Sequence, residues 1–79
     1  ATLTANTAVD MRLYTDVEFQ FTTGTVSVTR SLDGTNYVSW PIYDNTGVSS
    51  SSVSVAGIYS TDGGAWLKFS VDVTVAGRA

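Results

Sequence analysis

The chain has 79 residues, four Lys/Arg against seven Asp/Glu, a net charge of −3, and neither Cys nor His. Length allows one small domain, and the missing residues exclude disulfides, thiolate zinc sites, thiol nucleophiles and the usual base of a catalytic triad. Valine (11), threonine (12) and serine (10) dominate while Glu, Gln, Lys and Met occur once each, which favours strands over helices. Residues 1–8 are small and polar apart from Leu3 and predict an edge strand or a flexible arm. The domain proper is expected over 9–79, with no linker or tandem repeat. Val9, Met11 and Leu13 alternate with Asp10 and Arg12, and Val17, Phe19 and Phe21 alternate with Glu18 and Gln20, so both segments predict strands. Thr23-Gly24 is a turn, after which Thr25–Ser31 carries Val26 and Val28 inward.

Asp33-Gly34 with Thr35-Asn36 makes the next tight connection. Val38, Trp40 and Ile42 then alternate against Tyr37, Ser39 and Tyr43, and Pro41 places this strand at an edge or at a bulge. Asp44–Ser52 predicts a surface loop, with Asn45-Thr46-Gly47 followed by Val48 and four serines. Val53 and Val55 open another strand, bent at Gly57 before Ile58 and Tyr59, and Asp62-Gly63-Gly64 is the second strong turn. The last strand sets Leu67, Phe69, Val71, Val73 and Val75 on one face against Trp66, Lys68, Ser70, Asp72 and Thr74 on the other. About six or seven short strands, spaced roughly 8–12 residues apart and divided by Gly turns, predict an all-β fold. The expected architecture is a single small antiparallel β-sandwich or a jelly-roll-like barrel.

Candidate chemistry is sparse. Asp16 with Glu18, and Asp62 with Asp72, are the carboxylate pairs that glycoside hydrolysis would need, but a solvated strand face explains the first and a turn explains Asp62. Asp33-Gly34-Thr35-Asn36 lacks the further spaced carboxylates of a calcium loop. A serine nucleophile would have to use Lys68, which reads as a charge that keeps a strand edge soluble. Gly63-Gly64 precedes a strand, whereas a phosphate cradle opens a helix. No enzyme activity, catalytic residue, metal or cofactor is expected.

The partners of the charged groups point the same way. Arg12, Arg30, Lys68 and Arg78 are scattered, and Asp10, Asp33 and Asp72 lie near three of them, so neither nucleic acid nor an anionic membrane is an expected partner. No apolar run is long enough for a transmembrane helix. Of the nine aromatic residues, Phe19, Phe21 and Phe69 fall on inward faces. Tyr37, Tyr43 and Trp66 fall on the opposite phase. They are candidates for a protein interface or a sugar-stacking platform, or they cover a loop.

Taken together, Gly24-Thr25-Val26-Ser27-Val28, Ser31-Leu32-Asp33-Gly34-Thr35-Asn36-Tyr37-Val38, Gly57-Ile58-Tyr59, Gly63-Gly64-Ala65-Trp66-Leu67-Lys68-Phe69 and Val73-Thr74-Val75-Ala76-Gly77 form a layout. That layout resembles the small β-sandwich virion proteins of tailed bacteriophages, of the head-decoration and tail-fibre type. The resemblance implies a non-enzymatic structural subunit, assembled in the bacterial host cytoplasm and carried on the virion as a capsid decoration (cement) protein. Its implied partners are the major capsid protein or other virion proteins. A domain of this length buries only about 60% of its unfolded surface, and no covalent staple is available, so a homo-oligomer is expected. A trimer would match the threefold points of a capsid. The alternatives are a carbohydrate-binding module and a tail-fibre or adhesion component.

Overall fold

The structure is a computed structural model that describes residues 2–78. It is all-β, two antiparallel sheets packed face to face. The strands are β1 (Thr2–Leu3), β2 (Val9–Asp10), β3 (Asp16–Phe21), β4 (Val28–Ser31), β5 (Val38–Trp40), β6 (Ile42–Tyr43), β7 (Ser49–Ser50), β8 (Gly57–Asp62), β9 (Trp66–Phe69) and β10 (Val73–Arg78). One sheet runs β1-β10-β3-β8-β6-β7 and the other β2-β9-β4-β5. The strands outnumber the six or seven expected because several are two-residue pieces. Within residues 1–8 the edge-strand alternative holds for Thr2 and Leu3, which pair with Thr74 and Val73, while Ala1 lies outside the described residues.

The inward phases read from the sequence build the core. Val17, Phe19, Phe21, Val26, Val28, Leu67, Phe69, Val73 and Val75 are all buried, with Met11 and Ile42 beside them. Phe19 from one sheet meets Phe69 from the other with ring centroids 4.8 Å apart, and Tyr59 stacks on Phe19 at 6.2 Å. Burying a large apolar side chain stabilises the fold by about 1.5–3 kcal/mol, so this aromatic stack is a principal tie between the sheets.

Several expected strands are cut or redirected. The run from Leu67 to Val75 is two strands in different sheets, joined at Ser70–Asp72, with Leu67, Phe69, Val73 and Val75 buried and Val71 half-buried against the core. Pro41 follows a strand that does lie at a sheet edge, β5, but no single strand runs through it. It is where the chain leaves the four-stranded sheet, ending edge strand β5, and enters the six-stranded sheet as β6. The buried Thr61 hydroxyl donates to the Pro41 carbonyl at 2.9 Å and pins this crossing. The strand expected from Val53 begins only at Gly57; Val53 makes an isolated bridge to Val26, and Val55 and Ile58 are exposed. Leu13 likewise leaves the core, 88% exposed on the β2–β3 loop.

Candidate functional site

Cross-strand register places the side chains of the four-stranded sheet in rows. On its outer face Trp66 lies between Asp10 and Ser31, and Lys68 lies beside Thr29, which pairs with Ser39. The Arg12 guanidinium sits 4.0 Å from the Trp66 ring centroid and grips the Asp10 carboxylate through Nε and Nη2 at 2.9 and 2.8 Å. The Lys68 ammonium stands 4.3 Å over Tyr37. Cation–π contact and the aromatic quadrupole make both pairs favourable. Trp66 and Tyr37 are therefore half-buried beneath their own chain's cations. Tyr43 is on β6, in the other sheet. The three aromatic candidates do not form one platform.

The 31–37 turn is built around Ser31 and Asp33. Buried Ser31 Oγ donates to Asp33 Oδ1 at 2.6 Å and accepts from the Gly34 amide at 2.9 Å. Asp33 Oδ1 also accepts from the Thr35 and Asn36 amides, and Oδ2 accepts from Asn36 Nδ2. The Ser31 hydroxyl first, and then these amides, hold the Asp33 carboxyl well below the usual carboxylate range. Gly34 adopts φ +78° and lies against the Trp66 indole, where a Cβ would come within 3.6 Å. This left-handed position is the reason glycine follows Asp33.

The inner face of the same sheet holds a group that the alternation predicts and the sequence reading passed over. Arg30 follows Val26 and Val28 in phase, and the register sets it between buried Leu67 and Val38, which is 62% exposed. The inner face opens to solvent at this point. The Arg30 guanidinium stacks 3.9 Å over Trp40, and Nη2 makes a long contact of 3.5 Å to the Gly63 carbonyl. Arg30, Leu32, Asp33, Asn36, Val38 and Trp40 line a cleft of about 340 Å³. Arg30 Nε and Trp40 Nε1 are buried there, and neither has a hydrogen-bond acceptor among the described residues.

Asp16 and Glu18 share the outward face of β3, as expected, whereas Asp62 and Asp72 are not brought together. Asp16 faces Asp62 across β3 and β8 and Arg78 across β10, while Glu18 pairs with Arg78. Asp72 accepts the Ala5 amide at 2.8 Å. Among the described residues no group of three or more acidic, His or Cys side chains is placed to hold a metal ion, and no helix is long and apolar enough to cross a membrane.

This geometry defines a small two-sheet antiparallel sandwich whose Lys and Arg heads all engage an aromatic ring or a carboxylate. No protein-family model, curated protein or solved structure matches the chain.

Proposed function

We propose that the protein is a non-enzymatic structural subunit of a bacteriophage virion, a capsid decoration protein that docks on the major capsid protein and associates with copies of itself. The observation that carries this reading is the placement of exposed apolar side chains. Seven large hydrophobic residues are exposed among the described residues, and four of them fall into two pairs beside clefts. Leu32 and Val38 border the Arg30 cleft, and Val55 and Ile58 line a groove with Ser50, Ser52 and Ser54. Grouped apolar exposure marks contact surfaces, whereas isolated exposed hydrophobics are ordinary. The layout from Gly24 to Gly77, which resembles virion sandwiches, supplies the kind of partner.

A sugar platform has less support. Its strongest ring, Trp66, is occupied by Arg12, and Tyr43 belongs to the other sheet. The test is light scattering on the purified chain, followed by cosedimentation with phage heads. The expected result is a trimer that pellets with the heads. A monomer that stays in the supernatant overturns the reading, and a trimer that binds fibre components but no head moves the protein to the tail.

A further inference from the structure

The four cations differ in how their charge is met. Arg12 and Arg78 are each paired with a carboxylate, and Lys68 lies on the outer face of its sheet. Arg30 alone sits on the inner face, half-buried, with no carboxylate partner among the described residues. Its Nε is closed to water without an acceptor, which is costly unless a partner is supplied. The planar guanidinium fork fits carboxylate and phosphate oxygens alike, of which the small apolar rim suits the singly charged carboxylate. Asp33 lines the same cleft, but no ion pair or hydrogen bond joins its carboxylate to Arg30 among the described residues; its oxygens are engaged by the 31–37 turn instead. Trp40 adds a second unsatisfied N–H beside the guanidinium, and Leu32 and Val38 add an apolar rim that is 76% and 62% exposed. The groove lined by Val55 and Ile58 is larger, about 620 Å³, but its polar lining is mostly serine and it offers no comparable cation.

We propose that the cleft between the 31–37 turn and edge strand β5 is a binding site for a carboxylate carried on an apolar group, with Arg30 and Trp40 as its donors and Leu32 and Val38 as its apolar contacts. The carboxylate bonds to the guanidinium and the Trp40 indole N–H, and its apolar body covers the rim. Both N–H groups are closed to water in the free protein, so the ligand reaches them by moving rim side chains. A free organic acid and an acidic side chain beside an apolar one on a partner protein share this chemistry.

The test is an NMR titration of the full ¹⁵N-labelled chain with sodium hexanoate, with its neutral analogue hexanamide, and with the peptide N-acetyl-Leu-Glu-Leu-amide. The Trp40 indole and Arg30 Nε resonances should move saturably with at least one of the two carboxylates, while the Trp66 indole, outside the cleft, stays in place. Hexanamide should bind at least about tenfold more weakly, since hydrogen bonds to a charged acceptor are roughly twice as strong as neutral ones. Arg30→Gln should lose the response, and if that variant does not fold, the acid-against-amide comparison on the natural chain decides. A response to the peptide alone assigns the site to a protein partner, and a response to hexanoate admits free acids. No saturable shift with either carboxylate, equal binding of acid and amide, or undiminished binding by a folded Arg30→Gln chain would overturn the proposal.

Discussion

Gly63 is held by packing, without help from an unusual backbone angle, and replacing it tests the fold sharply. A Cβ at this position would stand 2.2 Å from the Tyr14 carbonyl oxygen, 2.9 Å from its carbon and 3.3 Å from the Met11 oxygen, all backbone atoms. Carbon–oxygen contacts need about 3.3 Å, so the two segments would have to part by about 1 Å. They are laced together by the Gly63 amide to Thr15 O, the Gly64 amide to Met11 O and the Met11 amide to Ala65 O. Overpacking costs about 1–3 kcal/mol, and each lost hydrogen bond about 0.5–1.5 kcal/mol more. Gly63→Ala should therefore lose about 3 kcal/mol, a large share of the roughly 4–12 kcal/mol typical of a chain this long. In a domain of this size that lowers Tm by roughly 12–24 °C. Gly47→Ala is the matched control: it has φ +85° with nothing within 4 Å of the added Cβ. It carries only the left-handed strain of about 1 kcal/mol, or roughly 4–8 °C. Calorimetry or circular dichroism melting of both variants gives the comparison. A Gly63→Ala chain that melts within about 5 °C of the natural one, or no lower than Gly47→Ala, would refute the steric argument.

Acid should weaken the fold. Asp10 is lowered to about 2 by the Arg12 side chain, Asp33 is lowered chiefly by Ser31, and Asp44 chiefly by the Thr46 hydroxyl. Folded values below the unfolded 3.8 mean that these groups stabilise the protein above that pH and lose the contribution as pH falls toward about 2. Melting temperature should drop across this window. An Asp33→Asn chain should show a shallower drop, and a flat profile in the natural chain would contradict the carboxylate geometry. Ser31→Ala removes the buried hydroxyl that serves both Asp33 and the Gly34 amide, and should cost about 1–3 kcal/mol. Urea denaturation should show this as a lower midpoint at unchanged slope, and a midpoint within experimental scatter of the natural chain would show that the turn does not depend on it.

Alternation alone determined which side chains face the core along the regular strands. Phe19, Phe21, Val26, Val28, Leu67, Phe69, Val73 and Val75 are buried because a period of two fixes a strand's inward face whatever strand lies beside it. The same property hid the sheet assignment. The alternation from Leu67 to Val75 continues unbroken through the bend at Ser70–Asp72, so one pattern serves two strands in two sheets. Pro41 marked an interruption, but the crossing it makes depends on β4 and β8, which are distant in sequence. Phase also cannot show where an inward face runs past the opposing sheet. Arg30 and Val38 share the inward phase and lie at the open margin, Leu13 and Val55 fall outside the strands, and Ile58, paired with exposed Gln20, takes the outward phase beside inward Tyr59. The binding candidates follow the same division. Outward phase was legible for Tyr37 and Trp66, whereas their covering by Lys68 and Arg12, and the meeting of Arg30 with Trp40, arise only when strands and loops far apart in the chain are brought together. Local pattern decides which way a side chain points, and non-local pairing decides what it meets.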